Sequence, residues 1–272
     1  MNIKKLTIEY HLVDSCNLKC AGCSHYSSLL DKLTYIELED IINDLTLLKN
    51  KIGDNLITLR LLGGEPLLHP QICECLTAIR NIFPLCNIVI VTNGILLKKM
   101  SDEFFNICRT SHIEIDITDY KLFNVEEILN KLKDLGITTK AYRNSSKNFI
   151  WRYKHIRLTE GKIDCLSKCI FKNTYSSYRN GKIYLCAHIA YIDFFNNYFG
   201  KNITLDNTDY ISLDEISSYE ELIEKINSAK PNFCYTYCNY YDKTHPEKGI
   251  WHTTKKDINE FCLMPEMVLK TV

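Results

Sequence analysis

The sequence has no excess of charge of either sign. Its 33 Lys and Arg residues equal its 33 Asp and Glu residues. Proteins that bind nucleic acid or an anionic membrane surface usually carry a marked basic excess. The balance therefore gives no support for a nucleic acid or a membrane as a partner. Segment 148–157 is locally basic, and we interpret it as a solvated face.

The sequence also lacks a long apolar run. No stretch approaches the roughly 18 apolar residues of a membrane span. Residues 1–15 contain lysines but no apolar core of the length found in a signal peptide. We therefore expect a cytoplasmic protein. Neither an internal repeat nor a low-complexity tract is present, and 46% apolar content is enough for a sizeable core.

Cysteine, in contrast, is abundant. The chain has 13 cysteines among 272 residues. A reducing compartment disfavours a disulfide framework, and a chain of this length needs none to fold. Clustered cysteines in such a compartment favour metal ligation. Cys73, Cys75, Cys86 and Cys108 lie in or beside predicted elements, and we expect them to be core residues.

Strand-like and helix-like segments alternate through the first half of the chain. The strand-like segments lie at 6–13, 56–62, 87–94, 112–119 and 137–143, and the helix-like segments at 34–50, 69–82, 101–111 and 124–136. Thr34 and Glu37 have the spacing of a capping box at the start of the first helix. This run of βα units predicts an α/β fold with a parallel sheet, in which the loops after the strand ends carry the chemistry.

The alternation of strand-like and helix-like segments ends at about residue 155. Segment 175–186 has the pattern of a β-hairpin with Asn180-Gly181 at its turn. Segment 217–229 has the pattern of a helix. The second half therefore predicts a smaller unit built from a hairpin and a helix.

The first candidate site follows the first predicted strand. Cys16, Cys20 and Cys23 have the spacing C-x3-C-x2-C in "CNLKCAGC". Three thiolates on a short loop can hold three corners of an iron–sulfur cube and leave the fourth iron open to another ligand. The alternative is a zinc site completed by a distant cysteine or by His25.

A glycine-rich segment follows the second predicted strand. In "LLGGEPLLHP", Gly63 and Gly64 allow bare backbone groups to approach a ligand, and Glu65 could receive an ammonium group. The alternative is an ordinary glycine turn.

Together, the two motifs resemble those of the radical S-adenosylmethionine (SAM) enzymes. The resemblance implies a partial (βα)6 TIM-like barrel in which Cys16, Cys20 and Cys23 bind a [4Fe–4S] cluster, with SAM on the open iron. It also implies SAM contacts from the residues that match the glycine motif and later strand ends, namely Gly63, Gly64, Glu65, Pro66, Asn93 and Asp116. Many members have an aromatic residue before the third cysteine, near the adenine. Gly22 stands there in this chain, and Tyr26 is the nearby aromatic candidate.

The C-terminal cysteines resemble those of the twitch or SPASM extensions of the same superfamily. Cys169 is followed by eleven residues, Gly181, four residues and Cys186, and then by Cys234 and Cys238 in "CYTYC". The resemblance implies that these four cysteines hold an auxiliary [4Fe–4S] cluster. Cys165 also satisfies the spacing and competes with Cys169, and a structural zinc site is the alternative.

The resemblance implies a domain order and a set of partners. We expect a radical SAM barrel over 1–155, a small β-hairpin-plus-helix twitch domain over 160–255, and a C-terminal tail over 256–272. The expected partners are a small-molecule substrate and an electron donor of the flavodoxin or ferredoxin type.

The reaction expected from the resemblance is hydrogen abstraction by a 5′-deoxyadenosyl radical made from SAM. The substrate would be small and polar, such as a sugar, an aminocyclitol or a nucleotide, and the auxiliary cluster would accept an electron to give net dehydrogenation. His188, Arg143 and Arg152 are candidates for proton removal or substrate binding. The alternatives are epimerisation, with Cys262 or Cys165 as hydrogen donor, and peptide modification.

Overall fold

The structure is a computed structural model that describes residues 6–142, 150–152, 154–159, 161–169, 172, 176–239 and 248–264. Its strands are β1 (Leu6–Val13), β2 (Leu56–Gly63), β3 (Asn87–Thr92), β4 (Ile113–Thr118), β5 (Thr139–Tyr142), β6 (Ile150–Arg152), β7 (Ile156–Arg157), β8 (Ser176–Arg179), β9 (Lys182–Tyr184), β10 (Ile211–Ser212), β11 (Lys248–Ile250) and β12 (Cys262–Leu263). Its α-helices are α1 (Leu38–Ile52), α2 (Ile72–Ile82), α3 (Asp102–Thr110), α4 (Val125–Asp134), α5 (Ala187–Ala190), α6 (Ile192–Phe199), α7 (Tyr219–Ser228) and α8 (Asn232–Thr236).

One mostly parallel sheet organises the molecule. Its strand order is β10-β9-β8-β1-β2-β3-β4-β5. Strands β1 to β5 are mutually parallel and are joined by α1 to α4, so the predicted α/β fold is confirmed. All five strands therefore end at the same edge of the sheet, and the loops that follow them meet there.

The two faces of the sheet differ in polarity because successive side chains of a strand point to opposite sides. On β1, Ile8, Tyr10 and Leu12 are fully buried in the main core. The helices contribute apolar stripes to that core, such as Ile41 and Leu45 on α1. The other face of the sheet, away from these helices, carries polar and charged side chains and lies toward the candidate site.

The expected six parallel strands of the barrel are not all found in the part of the chain that the structure describes. Five strands follow the βα rhythm. Strand β6 pairs instead with β11, in a separate two-stranded sheet. The sixth strand that runs parallel to these five in the main sheet is β8. It pairs with β1, at one edge of the five strands, and not with β5 at the other edge.

The predicted hairpin is confirmed, but it extends the main sheet. Strands β8 and β9 are antiparallel, and both Asn180 and Gly181 have positive φ at the turn. Pairing of β8 with β1 brings the segment that leads to Cys186 alongside the first strand. A second apolar cluster forms around α5, α6 and α8.

The capping box predicted for the first helix is wrong. Helix α1 begins at Leu38, and Glu37 is its N-cap without a side-chain cap hydrogen bond. The backbone N–H of Thr34 donates to Ser15 Oγ at 3.1 Å. Thr34 therefore stays with the loop after β1, outside the helix.

Burial confirms three of the four cysteines expected in the core. Cys75, Cys86 and Cys108 are buried, and Cys73 is partly exposed. Within the described ranges, no helix combines the length and the apolar character needed to cross a membrane.

Candidate active site

The three N-terminal cysteine thiols line one cavity of about 300 Å³ at the strand-end edge of the sheet. Other lining residues come from the segments that end β2, β3 and β4 or follow them, namely Leu62, Gly63, Gly64, Thr92, Asn93, Thr118 and Tyr120. Sequence-distant loops thus meet at one place, as expected for the carboxyl ends of parallel strands.

Backbone N–H groups point at two of these sulfurs. The N–H of Leu18 donates to Cys16 Sγ at 3.3 Å. The N–H groups of residues 25–28 donate to Cys23. These hydrogen bonds lower the pKa of its thiol, but burial has the larger effect and raises it. Burial, with smaller contributions from nearby Glu65 and Cys23, raises the pKa of Cys16 to about 12. Buried thiolates at this site therefore need a positive partner.

This donor set fits an iron–sulfur cluster. Three thiols on one short loop, with N–H groups directed at their sulfurs, provide the ligand type and the hydrogen bonding that such clusters use. Binding to metal removes the thiol proton outright, which overcomes the burial cost. Among the described residues, no group of three His, Cys, Asp or Glu side chains is arranged to hold a single metal ion.

Both glycines of the second motif are required by contact with the end of β1. A β-carbon on Gly63 would lie 1.9 Å from the carbonyl oxygen of Val13, and one on Gly64 would lie 2.0 Å from that of Ser15. Real β-carbons do not approach so closely, so only glycine fits at either position. The motif therefore holds the cysteine loop in place as well as lining the cavity.

The Glu65 side chain does not line the cavity. It is fully buried, and its carboxylate accepts hydrogen bonds from Thr92 Oγ1 at 2.6 Å and from the N–H of Asn93 at 2.9 Å. The N–H of Leu67 also donates to it at 3.2 Å. In this arrangement the carboxylate oxygens join the loops after β2 and β3, and the expectation that Glu65 receives an ammonium group stays a prediction. Pro66 is likewise buried and starts a short 3-10 turn.

The Asn93 side chain connects that junction to the cysteine loop. Its Nδ2 donates to Asn17 Oδ1 at 2.8 Å and lies 3.8 Å from Cys16 Sγ. Asn93 also lines the cavity. The structure thus places it beside the first cysteine, where the sequence predicted a cofactor contact.

Tyr26 lies away from the cavity, in the second apolar cluster. Its ring contacts Phe195 and Phe261, with centroids 5.7 and 6.4 Å away. Its hydroxyl is buried and has no hydrogen-bond partner among the described residues. Tyr26 does not line the cavity, and its contact with the adenine stays a prediction.

The aromatic side chain that does line the cavity is Tyr120. Its ring centroid lies 5.5 Å from that of Trp251, and both side chains lie beside the Cys20 thiol. Sequence reasoning missed both residues. The signal for Tyr120 was its place just after the fourth strand, where a loop residue reaches the same edge as the cysteines.

The polar face of the sheet carries a connected charge network below the strand ends. Arg60 Nη1 donates to Asp116 Oδ2 at 3.2 Å, and its Nε lies 3.9 Å from Glu9 Oε1. The Tyr142 hydroxyl also donates to Asp116 Oδ2, at 3.0 Å. Asp116 was predicted to contact SAM ribose, but its oxygen Oδ2 is instead held by this network.

Glu9 was also missed from sequence, although a carboxylate among alternating apolar residues of β1 is a recognisable signal. It lines the cysteine cavity. Burial raises its pKa to about 7, against the opposing charge of Arg60.

Three of the predicted C-terminal cysteines, Cys169, Cys186 and Cys234, lie near one another. Burial raises the pKa of the Cys234 thiol, and nearby Cys186 and Cys169 raise it further. Cys186 precedes α5 and accepts from the N–H groups of Ile189 and His188. The side chain of Tyr26 lies among Cys186, Cys238 and Cys262. That these cysteines hold a second cluster stays a prediction.

Cys165 and Cys169 are not equivalent. The Cys165 thiol is buried and donates to the Cys238 carbonyl oxygen at 3.1 Å. Cys169 is more exposed and lies near both Cys186 and Cys234. Cys262 is fully buried and directs its thiol to the Leu263 carbonyl oxygen at 3.4 Å.

His188 is buried and does not line the N-terminal cysteine cavity. Its ring centroid is 4.6 Å from that of His155 and 6.3 Å from that of Tyr26. Burial lowers the pKa of His188 well below its ordinary value, and His155 and His25 lower it further. Its assignment as a base remains a prediction. Arg143 and the side chain of Arg152 lie outside the described residues.

Comparison with known protein families gives a match for the barrel half of the chain. The family model described as the radical SAM superfamily matches residues 10–151. This range contains the three N-terminal cysteines, the glycine motif and the Asn93 loop.

Curated relatives match over a similar share of the chain. The GTP 3′,8-cyclase of Trichodesmium erythraeum is 33% identical over 127 residues, which are 44% of this chain and 38% of that protein. The GTP 3′,8-cyclase of Microcystis aeruginosa is 31% identical over 118 residues, 42% of this chain and 35% of that protein. The chain thus covers less than two-fifths of the length of these relatives.

Solved structures give more distant likenesses. BtrN in complex with AdoMet and 2-DOIA has a TM-score of 0.47 at 12% identity, covering 84% of this chain and 89% of that one. Streptococcus suis SuiB bound to S-adenosylmethionine has a TM-score of 0.41 at 20% identity, covering 52% of this chain and 35% of that one.

Proposed function

The chain belongs to the radical SAM superfamily, and from this premise we propose that it abstracts hydrogen from a small polar substrate and oxidises it. The family implies an enzyme with a [4Fe–4S] cluster and SAM. Cys16, Cys20 and Cys23 would hold that cluster, and Gly63, Gly64 and Asn93 would line the SAM site.

The observation that carries the proposal is the shared cavity. Three thiols and the loops after β2, β3 and β4 line the same space of about 300 Å³. When bound, the cluster and SAM supply one-electron chemistry, with cleavage of SAM to methionine and a 5′-deoxyadenosyl radical. The residues of the chain bind and orient these groups and exclude water from them.

The proposed outcome is dehydrogenation. A substrate alcohol would lose a hydrogen atom from carbon to the 5′-deoxyadenosyl radical and a proton from its hydroxyl group to a base. The remaining electron would pass to an auxiliary [4Fe–4S] cluster held by Cys169, Cys186, Cys234 and Cys238, so that the alcohol becomes a carbonyl. The proximity of these cysteines in a twitch-like hairpin-and-helix unit supports the proposal.

The proposed partners follow from this reaction. The enzyme would need a small-molecule substrate and an electron donor of the flavodoxin or ferredoxin type. Its cytoplasmic location, the domain boundaries near residues 155 and 255, and the catalytic roles of His188, Arg143 and Arg152 remain predictions.

A second candidate is a cyclisation like that named for the curated relatives. The 33% identity to a GTP 3′,8-cyclase favours it for the barrel half. In that case GTP would be the substrate, and no auxiliary cluster would need to accept an electron from the substrate.

Product analysis under oxygen-free reducing conditions distinguishes the candidates. The reconstituted protein should form 5′-deoxyadenosine from SAM, and dehydrogenation should give a product two hydrogens lighter than the substrate. An epimerised product keeps its mass and gains one deuterium in deuterated water. Formation of a cyclised product from GTP would replace the dehydrogenase proposal, and failure to cleave SAM would contradict both.

A further inference from the structure

The cysteine cavity has a rim and a floor. The rim consists of strand-end and loop residues such as Gly64, Asn93 and Tyr120. Glu9 lines the same cavity but lies four residues before Val13, the last residue of β1. At about 3.3 Å per residue it lies roughly 13 Å farther down the strand. A ligand bound at the rim therefore does not reach Glu9. Glu9 is available to a second ligand, or to another part of the substrate, bound deeper in the cavity.

Glu9 lines the cavity itself, and Arg60, Asp116 and Ser177 surround it on the same face of the sheet; we call these four residues the floor. Arg60 and Ser177 are the register partners of Glu9 on β2 and β8. Asp116 lies on the same polar face, because its register partner Val91 and the residue two positions later, Thr118, both line the cavity.

Two polar atoms of the floor are buried without a hydrogen-bond partner among the described residues. They are Asp116 Oδ1 and Ser177 Oγ. Asp116 is 2% exposed and Ser177 is 1% exposed. Burying such groups unsatisfied costs free energy, which a ligand that supplies hydrogen-bond donors would recover.

The charge of the floor selects the kind of ligand. Glu9 and Asp116 are carboxyl residues, whereas Arg60 is the single basic member. The Arg60 guanidinium already contacts both of them, at 3.9 Å from Glu9 and 3.2 Å from Asp116. Arg60 does not itself line the cavity, and none of the described residues that do is Lys or Arg. A phosphate would face carboxylates at this floor, whereas a hydroxyl or ammonium group would find acceptors.

We propose that Glu9, with Asp116 behind it, binds the substrate through its hydroxyl or amino groups, and that the part of the substrate held at the floor carries no phosphate. This inference rests on the proposed function, since it assigns the substrate class of the same cavity. Glu9 is then a specificity-determining residue that contacts the substrate, and an amine-bearing polyol is favoured over a nucleoside triphosphate.

Three sugars that share one ring test the inference. Glucosamine, glucose and glucose 6-phosphate would be titrated calorimetrically into the anaerobically reconstituted protein with SAM and without reductant, so that no chemistry occurs. Glucosamine should bind at least tenfold more tightly than glucose, and glucose 6-phosphate more weakly than glucose. Glu9→Gln should reduce glucosamine affinity to that of glucose.

Control variants and a parallel assay of SAM cleavage distinguish failure of this inference from failure of the proposed function. Glu114→Gln changes another carboxylate on β4 outside the cavity and should preserve the wild-type order of affinities. Glu9→Asp keeps the charge and should retain part of the preference if Glu9→Gln does not fold. Binding of glucose 6-phosphate as tightly as glucosamine, or of none of the three sugars, would overturn the inference. Absence of 5′-deoxyadenosine after reductant is added to the same sample would instead contradict the proposed function.

Discussion

Gly64 packs against the backbone of Ser15 so closely that a β-carbon on Gly64 would lie 2.0 Å from the Ser15 carbonyl oxygen. The next closest atoms belong to Ser15 and Cys16. The glycine motif after β2 and the cysteine loop after β1 are therefore one packed unit. The spacing of the two motifs in sequence gives no sign of this contact.

Gly64→Ala should displace the cysteine loop. Because the clash is with backbone, a side-chain rotation cannot relieve it. We expect the folded variant to lose most of the iron bound by Cys16, Cys20 and Cys23, measured as iron per chain after anaerobic reconstitution. Gly136→Ala is the control: nothing lies within 4 Å of its β-carbon position, and its positive φ, which Gly64 lacks, gives that variant backbone strain without the clash. Equal iron in the two variants would contradict the packing argument.

Glu65→Gln should destabilise the fold. Every described hydrogen bond of the Glu65 carboxylate is one that it accepts, and the NH2 group of glutamine cannot accept a hydrogen bond. Either orientation of the amide would place its NH2 group against the backbone N–H of Asn93 or Leu67. We expect the free energy of unfolding to fall by about 1–3 kcal/mol. Urea denaturation of the metal-free protein measures this. Glu127→Gln, on an exposed ion pair with Lys98, should change it by less than about 0.5 kcal/mol. An equally small effect at Glu65 would mean that its carboxylate is not the junction described.

The stability of the metal-free protein should depend on pH through Glu9. Burial raises the folded-state pKa of Glu9 from 4.5 to about 7. Between those values the unfolded chain binds fewer protons than the folded one, so the contribution of Glu9 to stability falls as pH rises. Relative to Glu9→Gln, the wild type should lose up to about 3 kcal/mol between pH 4 and pH 8. Urea denaturation measures the free energy of unfolding of the two proteins at each pH. If the two free energies change with pH in parallel, the prediction is contradicted and Glu9 has an ordinary pKa in the folded protein.

Tyr26 and Tyr120 should differ in their effect on SAM binding. Tyr26→Phe removes a buried hydroxyl without a described partner, so stability should be unchanged or slightly higher and SAM affinity should change less than twofold. Tyr120→Leu removes the ring from the cavity and should weaken SAM binding about tenfold, as expected for loss of base stacking. Equilibrium dialysis on reconstituted protein measures the SAM affinity of both variants. A larger loss of affinity in Tyr26→Phe than in Tyr120→Leu would indicate that Tyr26 contacts the adenine.

Much of the barrel was predictable because local patterns determine it. Strand β1 was predicted with its observed bounds, and the hairpin turn at Asn180-Gly181 follows from residues that accept positive φ. The edge at which β8 joins the sheet was not predictable, because many pairings satisfy the same alternation of strand residues. The pairing with β1 depends on contacts between segments more than 160 residues apart.

The candidate site was predictable where spacing along the chain carries the information. Cys16, Cys20 and Cys23 lie on one loop and meet at one cavity. The direction of individual side chains was harder to predict. Glu65 turns into a junction between loops, and Tyr26 turns into an apolar cluster, because tertiary partners decide these orientations. Glu9 was missed because its role depends on which face of the sheet is polar.

The most direct test compares iron content and SAM cleavage in the wild type and in a Cys16/Cys20/Cys23→Ala variant after anaerobic reconstitution. The triple variant Cys73/Cys86/Cys108→Ala, which removes the same number of thiols away from both sites, is the control. We predict that the first variant forms no 5′-deoxyadenosine yet keeps about half of the wild-type iron, because each of the two proposed clusters would hold four irons. SAM cleavage by that variant at the wild-type rate would contradict the assignment of these three cysteines.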